Sequence, residues 1–101
     1  DFVTRLINQP KNTERIYFKN AAGKDYYRIP DLYNKFEHMM GEIKNVKRIS
    51  LTPQLKDFIA YCEANDFKFT LYVGAGDGTY VSKALLREIF RIGGEVVRCI
   101  K

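Results

Sequence analysis

The chain is poor in the residues that would betray several common kinds of protein. Among 101 residues there are two cysteines, Cys62 and Cys99, far apart in sequence and without CxxC spacing. Neither a disulfide framework nor a cysteine zinc site is therefore expected; both read as core thiols, with a single disulfide left open. His38 is the only histidine, which removes mechanisms built on a histidine pair, and it falls in a hairpin loop, a surface position. The apolar runs are a few residues long, far short of the roughly 20 that a membrane-spanning helix needs, and no charged-then-apolar leader opens the chain. Neither a membrane span nor a retained signal peptide is expected. No repeat, low-complexity tract or linker appears, so residues 1–101 read as one domain. Because the sequence opens at Asp1 without an initiator Met, it is expected to be a piece of something longer.

What is present is a core and a modest positive charge. Hydrophobic residues make up 46% of the chain, with seven Tyr and seven Phe, enough to fill the interior of a domain this size. Lys and Arg number 17 against 12 Asp and Glu, giving +5 and a pI near 9.3. That surplus favours phosphate-bearing partners without demanding them.

Periodicity gives the order α, β, β, β, α, β, α, β. Phe2, Val3, Leu6 and Ile7 recur at helical spacing and stop at Gln9 and Pro10. Ile16, Tyr17 and Phe18 form a short strand that the Gly23 turn folds back onto Tyr26–Tyr33, a β-prone segment whose alternation puts Tyr27, Ile29, Asp31 and Tyr33 on one face. Pro30 restricts that segment to an edge, a strand end or a bulge, so Asp31 is expected where regular pairing breaks up. After the polar loop 34–38 comes a strand from Met39 to Val46. Its alternation sets Glu42, Lys44 and Val46 on one face and Ile43 on the other, toward the core. Thr52 is a helix N-cap with Pro53 at the first helical position, and Leu55, Phe58, Ile59 and Cys62 form its apolar stripe. Phe67–Val73 is a strand, Gly74–Thr79 a loop, Ser82–Ile92 a second amphipathic helix and Glu95–Ile100 a last strand. The first three strands should form a meander and Met39–Val73 a parallel crossover, giving an α/β fold with a mixed central sheet flanked by helices.

The meander would bring Asp31 beside Glu42 and Lys44. Two carboxylates with an intervening backbone carbonyl suit a hard divalent ion such as Mg²⁺, which fills its remaining shell with water and phosphate oxygens. Metal-assisted phosphodiester hydrolysis is the chemistry that follows, with Lys44 orienting water or stabilising developing negative charge. Lys47, Arg48 and Lys56 extend the basic character, since between Gly41 and Lys56 only Glu42 opposes four basic residues; they are candidate nucleic-acid contacts. Tyr26, Tyr27 and Tyr33 are candidates to stack on unpaired bases, although strand aromatics more often simply pack. Gly74, Gly76 and Gly78 suggest a nucleotide loop, but Thr79 breaks GxGxxG and no GK[ST] follows, so a flexible connection is the better reading. Asp25, Glu37, Glu63, Asp66 and Glu88 show no partner pattern and read as solvated faces or turn residues.

On Arg28-Ile29-Pro30-Asp31, Gly41-Glu42-Ile43-Lys44-Asn45-Val46 and Leu51-Thr52-Pro53-Gln54-Leu55-Lys56-Asp57-Phe58, the chain resembles the PD-(D/E)xK nuclease superfamily. More narrowly, it resembles the restriction-endonuclease-fold toxins of polymorphic and contact-dependent growth inhibition systems. The likeness spans roughly residues 26 to 100 and includes the Phe69–Val73 strand and the helix opening at Ser82. It implies an αβββαβ core with a C-terminal helix and strand added. Asp31 and Glu42 become metal ligands, Lys44 the catalytic lysine and Gln54 an accessory active-site residue. The implied metal is Mg²⁺, with Mn²⁺ or Zn²⁺ as alternatives. The superfamily often adds an acid from the first helix; Phe2–Gln9 contains none, and Glu14 after Pro10 is a poor substitute. The resemblance further implies an endonuclease toxin, carried by a larger secreted or cell-surface effector and acting in the cytoplasm of a target bacterium. A cognate immunity protein with an acidic surface would neutralise it. Structured RNA such as tRNA stands slightly ahead of DNA as substrate. Two other readings keep the fold: a non-catalytic nucleic-acid or protein interaction module, and a structural domain of an assembly.

Overall fold

The computed structural model describes residues 2–6 and 9–101; Ile7, expected to close the first helix stripe, lies outside them. The elements are α1 (Phe2–Leu6), β1 (Ile16–Lys19), β2 (Asp25–Arg28), β3 (Leu32–Asn34), β4 (Met39–Lys44), β5 (Arg48–Ile49), α2 (Pro53–Asn65), β6 (Lys68–Gly74), β7 (Tyr80–Val81), α3 (Lys83–Arg91) and β8 (Glu95–Ile100). The central sheet has the order β3-β4-β6-β8. β3 runs antiparallel to β4, while β4 with β6 and β6 with β8 are parallel. The expected mixed sheet and the crossover from β4 through α2 to β6 are both present.

The helices form where their ends are chemically marked. Thr52 Oγ1 accepts the Leu55 amide at 3.3 Å, and Pro53 occupies the first turn, where its missing N–H costs no intrahelical bond. Ser82 Oγ caps α3 by accepting the Leu85 amide at 3.2 Å. From α2, Leu55, Phe58, Ile59 and Cys62 pack with Leu85 and Ile89 of α3 against Phe69, Leu71 and Val73 of β6 in one core cluster. The Arg91 guanidinium of α3 pairs with Glu63 of α2 and with Glu88, so two acids read from sequence as solvated share one cation. Both cysteines are free; Cys62 is buried and Cys99 half-buried. Among the described residues no helix is long and apolar enough to cross a membrane.

The expected three-strand meander is corrected. β1 and β2 form a separate two-stranded sheet, closed by a turn with Gly23 at φ 79°. The segment Tyr26–Tyr33 is two strands, broken at Ile29-Pro30-Asp31. Pro30 has no amide to donate to a ladder, and the chain after α1 takes the place of a strand partner there. The Asn12 amide donates to the Asp31 carbonyl at 2.8 Å, and Asn12 Nδ2 to the Pro30 carbonyl at 3.0 Å. Asp31 thus lies in the break, as Pro30 led one to expect, and the face it was to share with Tyr27, Ile29 and Tyr33 is divided between β2, the break and β3.

Two smaller differences concern β4 and its surroundings. The strand ends at Lys44 rather than Val46, and β5 and β7, absent from the sequence reading, form a short parallel pair of their own. The faces of β4 are also inverted. Register sets Met40 beside Phe69 and Glu42 beside Leu71, so Glu42 shares the face of Met40, Phe69 and Leu71, all members of the main core. Ile43, expected to anchor that core, is half-buried on the opposite face.

Candidate active site

Asp31 and Glu42 meet because the sheet stops between them. Leu32 pairs with Gly41, so one further antiparallel step would set Asp31 opposite Glu42. The chain leaves the ladder at Pro30, and side chains take over the hydrogen bonds. The Asp31 amide donates to Glu42 Oε2 at 2.9 Å, and the Ile43 amide donates to Asp31 Oδ2 at 2.9 Å. Each carboxylate is thereby tied to the other strand through one oxygen. Gly41 permits the close approach: a Cβ there would lie 3.1 Å from Leu32 Cδ1 and 3.2 Å from the Thr70 carbonyl oxygen.

The remaining oxygens each face a lysine. Lys44 Nζ stands 3.9 Å from Glu42 Oε1, and Lys11 Nζ stands 3.7 Å from Asp31 Oδ1. Both separations exceed hydrogen-bond length, so the ammonium groups supply charge without occupying the oxygens. Side-chain exposure rises outward from 2% at Glu42 through 20% at Asp31 and 30% at Lys44 to 64% at Lys11. The site therefore has a buried floor and an open, cationic mouth.

Burial pushes the Glu42 carboxyl up to about 8, and the Asp31 carboxyl beside it adds to the rise; the Asp31 amide and Lys44 oppose it. A buried carboxylate in that position calls for a positive charge. Among the described residues no group of three or more His, Cys, Asp or Glu side chains gathers, so the available set is these two carboxylates. Their free oxygens, Asp31 Oδ1 and Glu42 Oε1, are hard donors of the kind Mg²⁺ accepts in ones or twos while keeping water and phosphate in its remaining positions. The residues present fit such an ion.

The other expected residues are placed less tightly. Gln54 sits half-buried in the first turn of α2 and makes no hydrogen bond to Asp31, Glu42 or Lys44. Lys47 and Arg48 are exposed just beyond β4, and Lys56 is exposed on α2. Glu14 pairs with Lys35 at 2.9 Å, away from Asp31. Tyr33 packs on Phe67 and shares a 2.7 Å hydrogen bond with Tyr61, while the Tyr26 hydroxyl donates to Asp57. Of the three tyrosines considered for base stacking, those two are already engaged, while Tyr27, with the Arg15 guanidinium over its ring, stays 47% exposed.

Sequence reasoning missed Lys11 and Asn12. No motif surrounds them; their only signal is the chain crossing at Pro30, which the sequence does not announce.

A family model, restriction endonuclease fold toxin 7, matches residues 4–85 of the chain. No curated protein and no solved structure matches.

Proposed function

The chain belongs to the restriction endonuclease fold toxin 7 family, and from that premise we propose that it is a metal-dependent endonuclease that hydrolyses phosphodiester bonds. The observation that carries this reading is the reciprocal latch of Asp31 and Glu42, which holds two carboxylates together with one oxygen of each left free. Those free oxygens would hold a divalent cation, Mg²⁺ in the first instance. When bound, it draws charge from the phosphate and makes water more acidic. Glu42 would supply a donor oxygen from the buried floor once its proton is shed as the cation binds, and Asp31 supplies the second donor at the rim. Lys44 lies beside Glu42, placed to steady negative charge developing on the phosphate or to orient the attacking water. Gln54 would assist from the first turn of α2. Lys47, Arg48 and Lys56 would hold neighbouring phosphates of the polymer.

The biological setting follows from the toxin family by analogy. The domain would be delivered by a larger secreted or cell-surface effector, as in contact-dependent growth inhibition, and would act in the cytoplasm of a target bacterium. A cognate immunity protein with an acidic face would cover the basic mouth. Structured RNA such as tRNA is the first substrate to test and DNA the second.

The test is incubation of the domain with tRNA and with duplex DNA, in Mg²⁺, in Mn²⁺ and in EDTA, beside Glu42→Ala and Lys44→Ala. Cleavage of one polymer should disappear in EDTA and fall by roughly a hundredfold or more in each variant. Full activity in folded variants, or none in the wild type, would sink the proposal. Binding that survives EDTA without any cleavage would point instead to an interaction module.

A further inference from the structure

Beyond β4 the chain builds a feature that cleavage itself does not require. β5 and β7 pair so that Arg48 lies directly across from Tyr80. The Tyr80 amide donates to the Lys47 carbonyl at 2.8 Å, and the Ser82 amide to the Ile49 carbonyl at 3.0 Å. Ile49 and Val81 turn inward and are buried. Strand alternation therefore turns Arg48 and Tyr80 outward. The Arg48 guanidinium carbon stands 5.8 Å from the Tyr80 ring centroid, and the ring remains 48% exposed. Beside it is a hollow of about 350 Å³ lined by Arg48, Ile49, Ser50, Tyr80 and Ser82.

This shelf is fixed relative to the catalytic strand. Thr79, 2% exposed, accepts the Gly74 amide at 3.0 Å and donates to the Val46 carbonyl at 2.6 Å. Arg98 donates to the Thr79 carbonyl at 2.6 Å. The loop before β7 is thus tied to the end of β6 and to the segment just after β4. Arg48 follows Lys44 by only four positions, which at ~3.5 Å per residue caps the separation of their Cα atoms near ~14 Å. A stacked strand places about four phosphates within that length.

We propose that the Tyr80–Arg48 shelf is a subsite for one unpaired nucleobase, so that the substrate is a nucleic acid with a single-stranded or extruded nucleotide within about four positions of the scissile phosphate. The inference rests on the nuclease reading of the Asp31–Glu42 site. A half-exposed ring offers a π-face to any base that is free of its own stack, and the guanidinium over the ring adds a cation for the base or its phosphate. The hollow lies at the small end of ligand-pocket volumes, about 300–1,000 Å³, which suits one nucleotide better than a helical segment. Duplex regions present sugar and phosphate rather than base faces, so they gain nothing from the ring. The run from Lys44 to Ser50 carries Lys47 and Arg48 and no acid, which keeps the approach attractive to the polymer.

The test separates stacking from cleavage. Hairpins carrying 2-aminopurine in a one-nucleotide bulge, and fully paired controls, are made as RNA and as DNA and titrated in EDTA with wild type, Tyr80→Phe and Tyr80→Ala. Wild type and Tyr80→Phe should quench the bulged probe and bind it more tightly than the paired control. Tyr80→Ala should weaken binding of the bulged probe about tenfold and leave the paired control unchanged. Equal losses on both probes, no loss, or no preference for the bulge by the wild type would each overturn the subsite. Cleavage of the same hairpins in Mg²⁺ is scored separately: quenching without cutting by the wild type would defeat the nuclease reading and leave the stacking result standing.

Discussion

At Glu42 a carboxyl group meets two opposed environments, an apolar sheet face shared with Met40 and Leu71 and a polar rim of Asp31, Lys44 and, farther out, Lys11. Burial is the larger influence, and it raises the folded-state value from 4.5 to about 8. The unfolded chain releases this proton near its ordinary value while the folded chain keeps it, so between those two values the folded state binds more protons. Stability in EDTA should therefore fall as pH rises through that window and level off above it, with a slope of at most about 1.4 kcal/mol per pH unit. Urea unfolding of wild type and Glu42→Gln from pH 5 to 8 checks this: the wild type should lose stability relative to the variant. A constant difference would show that the buried charge is already compensated. Mg²⁺ should stabilise the wild type more at pH 8 than at pH 5, because a ligand must shed its proton to bind. Lys11 makes a different residue-level case. Its ion pair with Asp31 is long and exposed, a geometry worth about 0–1 kcal/mol, so Lys11→Ala should leave the unfolding midpoint nearly unchanged. Standing at the mouth, it should instead contact substrate phosphate, and its loss should raise KM several-fold with a smaller effect on kcat. Steady-state cleavage kinetics distinguish these, and an unchanged KM would remove Lys11 from the binding surface.

The β1–β2 hairpin belongs to no larger sheet, and its attachment is side-chain made. Asp57 of α2 accepts the Arg28 Nε at 2.7 Å and the Tyr26 hydroxyl at 2.8 Å, while Ile16 and Phe18 pack on the core. Asp57→Ala would leave a half-buried guanidinium without its partner and should cost about 1–3 kcal/mol. Amide exchange should quicken chiefly in residues 16–28, with α2 protected; uniform quickening would mean that the hairpin is not a separate unit. That separateness explains the main misreading of the sequence. Pro30 marks where pairing breaks up, but β-prone residues stand on both sides of it, and period-two reasoning cannot see that the strands before and after it belong to different sheets. Helix α2 was legible because its cap, Pro53 and apolar spacing all agreed, α3 because its apolar spacing is regular, and β6 because its apolar run is long. β5 and β7, two residues each, are too short to carry a period. At the site, the spacing of Glu42 and Lys44 and the return of Asp31 toward them could be read, since both follow from strand geometry. Which face was inward could not: periodicity says which residues share a face, and charge alone sent Glu42 to solvent, whereas Met40 and the register with β6 place it inside.

For the molecule as a whole, a net charge of +5 is modest, and its distribution matters more than its size. Glu42 is buried, whereas Lys47, Arg48 and Lys56 are exposed and Lys44 and Lys11 stand at the mouth. A phosphate backbone approaching the mouth would meet Lys11 and Lys44 first and the carboxylates only at the floor. Three or four phosphate contacts made this way would release counterions and give a slope of log binding constant against log salt of roughly −2 to −4. Between 50 and 200 mM salt, affinity would then fall by roughly 20- to 250-fold. Fluorescence titration of a labelled oligonucleotide in EDTA measures the slope without interference from cleavage. Replacing Lys47 and Lys56 together by Ala should make it shallower by roughly 1.5 to 2. Loss of affinity with no change of slope would mean that the two lysines act through folding and not through phosphate. A slope near zero in the wild type would mean that the cationic mouth does not meet a polyanion at all, and both the nuclease and the docking readings would give way to a domain whose charged strand serves only its own assembly.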